Sequence, residues 1–293
     1  MHVFWKSIHA GAIKAQQELD VDIIWKGPVK EDDRESQITV TENLIMRKVS
    51  GIVLAPLDDA ALRGPVTTAM RKNIPVVIID SGLKGADYVS FVATDNYVGG
   101  KKGGDHLAKV LDGKGKVVML RYQEGSASTM NREQGFLDAI KEYPDIEVVS
   151  SSVYGGATTE SALIASENLL APFKTPDGGL SIDGIFCPNE STAFAMLRAL
   201  QDNKLAGKVK YVGFDSSEML VRGLKDGHIH GLVLQDPINM GYMGVKIVVA
   251  YLRGEQVPEH VDTGSEVVTP ENMNEPKMKN LLEPDYRKWL GEN

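Results

Sequence analysis

The 293-residue sequence contains one cysteine, Cys187, which excludes an internal disulfide framework and a cysteine-based zinc site. No apolar run approaches the roughly 18 residues of a membrane-spanning helix. The longest candidates, such as IPVVIID at 74–80, have the length of a strand. A basic excess is also lacking. The 32 Lys and Arg against 40 Asp and Glu leave a net charge of -8, and phosphate recognition needs a basic face, so nucleic acid is not an expected partner. The chain opens directly in helix-like sequence, so no signal peptide is expected within it. GGKKGG (99–104) and DGKGK (112–116) lack the Gly-Lys-Ser/Thr of a P-loop, and no nucleophile elbow or dinucleotide fingerprint is found. His228 and His230 share a strand face without an evident third metal ligand. Neither an enzyme nor a cofactor or metal is therefore expected.

What is present is a rhythm. Short apolar segments at 21–25, 51–56, 74–80, 89–96, 115–120, 146–152, 182–188, 209–215 and 229–235 alternate with amphipathic stretches of helical length. Such alternation predicts parallel sheets covered on both faces. The order repeats, so an α/β protein of two similar doubly wound, Rossmann-like lobes is expected, as the length of 293 residues allows. The rhythm is broken once, because the helix predicted at 5–19 has no strand before it. A sheet lacking that strand would carry a gap or an exposed edge. Either Met1 is an internal start that discards a first strand and a targeting segment, or the sheet is built without one; the first is favoured.

Ligands of doubly wound sheets bind beyond the carboxyl ends of the strands. Four such ends carry acids or amides: Asp80 with Ser81, Asn189 with Glu190, Asp215 with Ser216, and Gln235 with Asp236. Each alone reads equally well as a turn or a helix cap. Four together suit a neutral, polyhydroxylated molecule, whose hydroxyls both donate to and accept from such groups. The aromatic pair Phe4 and Trp5 adds a second signal. Adjacent helical residues point about 100° apart, so both cannot face one core. If Phe4 heads the stripe of Ile8, Ala12, Ala15 and Leu19, Trp5 is left to cover a sugar ring; if Trp5 is the core residue, Phe4 is the platform. The charged run KEDDRES (30–36) reads as a solvated helix start.

The segments HVFWKSIHAGA, GIVLAPLDDAAL, IPVVIIDSG, VATDNYVGG, NREQGF, CPNESTAFAMLRAL, VGFDSSE and LVLQDP follow one another in a familiar order. From residue 2 to about 270 the chain resembles the periplasmic sugar-binding proteins of ABC importers, the group around the ribose-binding protein. That resemblance implies a periplasmic binding protein type I fold, its two lobes joined by a three-strand hinge. It implies lobes of 1–94 plus 236–262 and of 95–235 plus 263–293, with crossings near 94–96, 235–236 and 262–265. It implies a sugar or polyol held between the lobes by Phe4, Trp5, Asp80, Arg132, Asn189, Asp215 and Gln235, with Glu190 beside them. It also implies a membrane permease as partner, export to the periplasm or cell envelope, and a monomer.

Departures accompany the resemblance. Ser81 stands where ribose binders carry an arginine, His2 where an asparagine is expected, and Ala157 where a second-lobe aromatic is expected, with Tyr154 as a nearby substitute. The alternative function, the ligand-sensing core of a lactose-repressor-type regulator, would need a DNA-binding segment, and none lies ahead of residue 5. Arg132 is read as a ligand contact at a helix start rather than a surface partner of Glu133 or Asp138, and its loss is expected to spare the fold.

Overall fold

Apolar strands and capped helices alternate through nearly the whole chain, of which the structure, a computed structural model, describes residues 2–291. First come α1 (Val3–Leu19), α2 (Arg34–Met46), β1 (Ile52–Leu54), α3 (Arg63–Arg71), β2 (Val76–Ile79), β3 (Ser90–Ala93) and α4 (Asn96–Val110). Then follow β4 (Lys114–Arg121), α5 (Ala127–Ile140), β5 (Asp145–Tyr154), α6 (Thr159–Leu170), β6 (Gly184–Phe186) and α7 (Glu190–Asp202). The last part comprises β7 (Lys210–Phe214), α8 (Glu218–Lys225), β8 (Gly231–Gln235), α9 (Pro237–Leu252), β9 (His260–Asp262), β10 (Ser265–Val268), α10 (Pro276–Leu282) and α11 (Arg287–Leu290). Asp33, Asp95, Asn189, Ser217 and Asp236 each accept a backbone N–H at a helix start, and Thr158 with Ser161 forms a capping box.

The strands form two sheets. The first has the order β1-β2-β3-β9 and is parallel throughout. The second has the order β10-β8-β7-β6-β4-β5, parallel except that β10 runs antiparallel to β8. Helices on both faces bury central strands completely, as in Val76–Ile79 and Gly231–Gln235. Each such Val, Leu or Ile contributes about 1.5–3 kcal/mol through the area removed from water.

Glycine explains how closely some helices approach. A Cβ on Gly100 of α4 would lie 2.0 Å from the Arg132 carbonyl oxygen, and one on Gly135 of α5 would lie 2.1 Å from that of Tyr97. Thus GGKKGG serves backbone packing and sets the position of α5. Gly11 and Gly241 bring α1 and α9 together in the same way.

Three connections pass from one sheet to the other: β3 to α4, β8 to α9, and β9 to β10. They are tied side by side where Thr94 Oγ1 donates to the Gly264 carbonyl (3.1 Å) and the Asp95 N–H donates to Asp262 (2.9 Å).

Two expectations are corrected here. Residues 21–25 run extended without entering a ladder, leaving β1 as the edge of the first sheet. The C-terminal tail divides: β10 and α10 join the second sheet, whereas α11 packs on α1, with Lys6 Nζ over the Tyr286 ring, rather than with the second lobe.

Candidate functional site

The carboxyl ends of both sheets face one cavity. The first sheet contributes residues 55–57 after β1, then Asp80 and Ser81 after β2. The second contributes Tyr122 after β4, Asn189 and Glu190 after β6, Asp215 after β7, and Gln235 closing β8. The start of α1 supplies His2, Phe4 and Trp5, and α5 supplies Arg132. Asp80 and Asp215 both have left-handed backbones, with φ of 61° and 67°, which turn the chain sharply at the strand end.

Arg132 anchors the floor and is 2% exposed. Its Nε donates to Asn96 Oδ1 (2.7 Å), its Nη1 donates to the Pro188 carbonyl (3.0 Å), and its guanidinium lies 4.0 Å from the Phe214 ring centre. Nη1 also stands 3.7 Å from Asp215 Oδ2. Asp215 accepts from Gln235 Nε2 (2.7 Å) and from the Glu190 N–H (3.2 Å). Burial lowers the Arg132 pKa, opposed by the carboxylates of Asp215 and Asp80. Glu133, one of the two acids weighed as its alternative surface partners, faces Arg121 (3.3 Å) and accepts the Tyr122 N–H.

Three groups in this cluster are left unmet. The Asp80 carboxylate receives no hydrogen bond from the described residues, and burial pushes its pKa up to about 7 against the pull of Arg132. Gln235 Oε1 is buried without a partner among the described residues. Arg132 Nη2 has no partner among the described residues. Of the three only Gln235 Oε1 is fully buried, where a missing partner costs about 1–3 kcal/mol and so favours a ligand that completes it.

The opposite wall is acidic and aromatic. Glu31 accepts from the Trp5 indole N–H (2.7 Å) and from the Tyr122 hydroxyl (2.9 Å). Glu190 approaches His2 Nδ1 (3.2 Å) and accepts the Phe4 N–H (3.5 Å). The hydrogen bond to Glu190 raises the His2 pKa. Phe4 and Trp5 meet edge to face, 4.9 Å between centres, and both border the cavity while packing partly on the first core.

All nine residues named from the sequence therefore border one cavity: Phe4, Trp5, Asp80, Ser81, Arg132, Asn189, Glu190, Asp215 and Gln235. Asn189 also caps α7, and the Ser81 hydroxyl accepts the Ser128 N–H (3.2 Å), so the plainer structural roles hold beside the site. The assignment of 30–36 as a solvated face fails at Glu31, which lines the cavity and accepts the Trp5 indole N–H. Tyr122, Gln123 and Ser126, which also line the cavity, were missed, although YQEGS follows an apolar strand end just as CPNE does. Tyr154 does not border it. That side chain lies 42% exposed and bonds Arg121. Elsewhere the Cys187 thiol is buried and pushed up to about 12, and His230 accepts the Tyr211 N–H with burial lowering it to about 4.

Two lobes hinged by three connections, with polar strand ends and aromatics around a shared cavity, define a ligand-capturing class of protein. Residues 1–256 match the periplasmic binding protein domain family, and the chain belongs to that family. It is 30% identical over 267 residues to a ribose import binding protein of Haemophilus influenzae, covering 91% of this chain and 87% of the relative. It is also 30% identical to a D-ribose/D-allose-binding protein of Pseudomonas aeruginosa, covering 91% and 85%. Among solved structures, a carbohydrate transporter solute-binding protein of Agrobacterium radiobacter in complex with D-arabinose superposes with TM-score 0.90. The two are 36% identical, covering 96% of this chain and 95% of that one. An ABC transporter solute-binding protein of Agrobacterium vitis with bound D-fucose gives TM-score 0.90 and 35% identity, covering 96% of each. The chain is a type I periplasmic sugar-binding protein, not an enzyme, and the repressor alternative is set aside.

Proposed function

We propose that this protein captures one monosaccharide or small polyol, contacted by the nine cavity residues above, and delivers it to the permease of an ABC importer. The observation that carries this reading is the trio of unmet groups, the Asp80 carboxylate, Gln235 Oε1 and Arg132 Nη2, converging on one cavity beside an aromatic wall. Sugar hydroxyls donate to the first two and accept from the third, while the Phe4 and Trp5 faces cover ring C–H groups. Size argues against an oligosaccharide. The cavity holds about 60 Å³, which is room for roughly four to six water-sized groups at about 10–15 Å³ each.

The lobes we assign are 1–94 with 236–262 and 95–235 with the tail after 263, except that α11 rides with the first. Ligand contacts from both lobes favour the closed arrangement over the open one. The protein acts as a monomer in the periplasm, and its closed rims dock on the permease. Relatives named for ribose, allose, arabinose and fucose indicate the class to test first. Calorimetry against a panel of pentoses, hexoses and polyols, with small-angle scattering on any binder, tests the reading. Saturable binding of at least one sugar with a smaller radius of gyration is expected. No binding across the panel, or binding without compaction, refutes capture by closure.

A further inference from the structure

The lobes touch outside the cavity as well as around it. Their three connections leave β3, β9 and β8, which lie toward one edge of each sheet. β1 and β4 lie toward the other edge, since the first sheet runs β1-β2-β3-β9 and the second β10-β8-β7-β6-β4-β5. Residues 57–59 follow β1, residues 122–125 follow β4, and residues 31–34 lead into α2. These segments meet on the side away from the connections, where a hinge motion moves the lobes furthest apart.

Protein groups alone make that meeting. The Asp59 N–H donates to the Gly125 carbonyl (2.9 Å). Arg34 Nη2 donates to the Glu124 carbonyl (2.9 Å), while its Nε pairs with Asp58 Oδ2 (3.0 Å). Asp58 Oδ1 accepts the N–H groups of Ala60 (2.9 Å) and Ala61 (2.8 Å), so the acid that aims Arg34 is fixed within its own lobe. Nearer the cavity, Gln123 Nε2 donates to the Glu31 carbonyl (3.3 Å), and the Tyr122 hydroxyl donates to the Glu31 carboxylate (2.9 Å).

Two features show that this contact is fitted. Arg34 is the first residue of α2, where the helix dipole disfavours a cation, so helix stability does not account for it. Gly125 has a φ of 91°, and a Cβ there would lie 2.5 Å from Asp58 Oδ2 and 3.0 Å from Arg34 Nη2. Only glycine lets the second lobe come this close to the first. Neither Arg34, Asp58, Asp59, Glu124 nor Gly125 borders the cavity. They can act on a ligand only through the arrangement of the lobes.

We propose that these residues form a latch across the cleft mouth, which holds part of the ligand-free population closed and sets how slowly a bound sugar leaves. Glu31 is the positioning residue that joins latch to site, because its carboxylate holds the Trp5 indole from its own lobe and Tyr122 from the other. Resting on the capture by closure proposed above, the latch adds a share of closing free energy that no ligand supplies.

Single-molecule energy transfer between dyes on Met46→Cys and Ile164→Cys reads closure, since both positions are exposed, lie in different lobes and leave the buried Cys187 unlabelled. The ligand-free parent should show open and closed populations. Arg34→Ala should cut the closed-to-open ratio about tenfold and raise the off-rate of a bound sugar about tenfold, with the on-rate changed by about twofold or less. Arg34→Lys, which keeps the charge but not the fork, should fall between them. Gly125→Ala should act like Arg34→Ala; if it fails to fold, Arg34, whose side chain is half exposed, carries the test. Arg198→Ala, which breaks an exposed pair within α7, should change neither quantity. A ligand-free parent without a closed population overturns the proposal. So does Arg34→Ala with a lower thermal midpoint but the parent's closed population and off-rate, because the contact is then only structural. If no sugar in the panel binds, the sugar reading fails while the ligand-free populations still decide the latch.

Discussion

Replacing Arg132 by alanine should damage both fold and binding, because the structure makes the side chain a buried keystone. It is 2% exposed, donates to Asn96 and to the Pro188 carbonyl, stacks on Phe214 and faces Asp215. Alanine leaves the Asp215 carboxylate buried, with Gln235 Nε2 and the Glu190 N–H as its remaining donors. Breaking a buried pair by removing one partner costs about 3–5 kcal/mol, and the two side chains of this pair are only 3% and 8% exposed. Spread over a domain of this size, the loss lowers the thermal midpoint by about 10 °C. Affinity for the sugar should fall by about 2 kcal/mol, roughly 30-fold, as the Nη2 donor disappears. Urea denaturation followed by calorimetry on the folded fraction separates the two losses. Arg132→Lys keeps the charge but not the fork and should fall between parent and alanine. The double variant Arg132→Ala with Asp215→Asn should cost less than the sum of the single changes, since the stranded charge is gone. A stability within about 1 kcal/mol of the parent for Arg132→Ala would refute the keystone argument.

Asp80 should make the ligand-free protein less stable as pH rises. Its folded pKa of about 7 exceeds the ordinary 3.8, so the native state holds the proton through that window. The contribution is complete below about pH 4 and lost through pH 7, a fall of up to about 4 kcal/mol that Asp80→Asn should flatten. If sugar hydroxyls donate to the ionised carboxylate, binding releases a proton and tightens toward pH 8. Calorimetry in buffers of different ionisation enthalpy measures that release, and none detected would remove Asp80 from the contact set. Trp5→Ala should weaken binding about tenfold and abolish most of the sugar-dependent tryptophan fluorescence change, because Trp25 stacks on His9 and Trp289 lies in α11, neither bordering the cavity. An undiminished change in that variant would rule out Trp5 as the platform. Gly100→Ala, whose Cβ would sit 2.0 Å from the Arg132 carbonyl, should cost about 1–3 kcal/mol of stability and weaken binding through displaced α5. Unchanged affinity would show that α4–α5 spacing does not set the site.

Sequence determined the alternation, and with it the architecture. Apolar strands flanked by helices have few ways to bury both faces other than a doubly wound sheet, so 74–80 and 229–235 were legible at once. The stripe of Ile8, Ala12 and Ala15 was legible for the same reason and is buried as expected. Strand-end polarity also marked most of the site, because in parallel sheets every carboxyl end points to the same side. Tertiary structure decided what depends on which strands become neighbours. Residues 21–25 have strand composition, yet no ladder forms, because the partner edge of β1 lies across a groove. Glu31 sits in a charged run that reads as solvated, and only the approach of Tyr122 from 91 residues away brings it to the cavity wall. Arg132 carries no local sign of burial. It became structural because glycines at 100 and 135 let two helices touch backbone to backbone, and that contact sets its guanidinium between Phe214 and Asp215. Local pattern specifies which face of a segment is apolar, whereas which charge meets which depends on long-range packing that no single segment encodes.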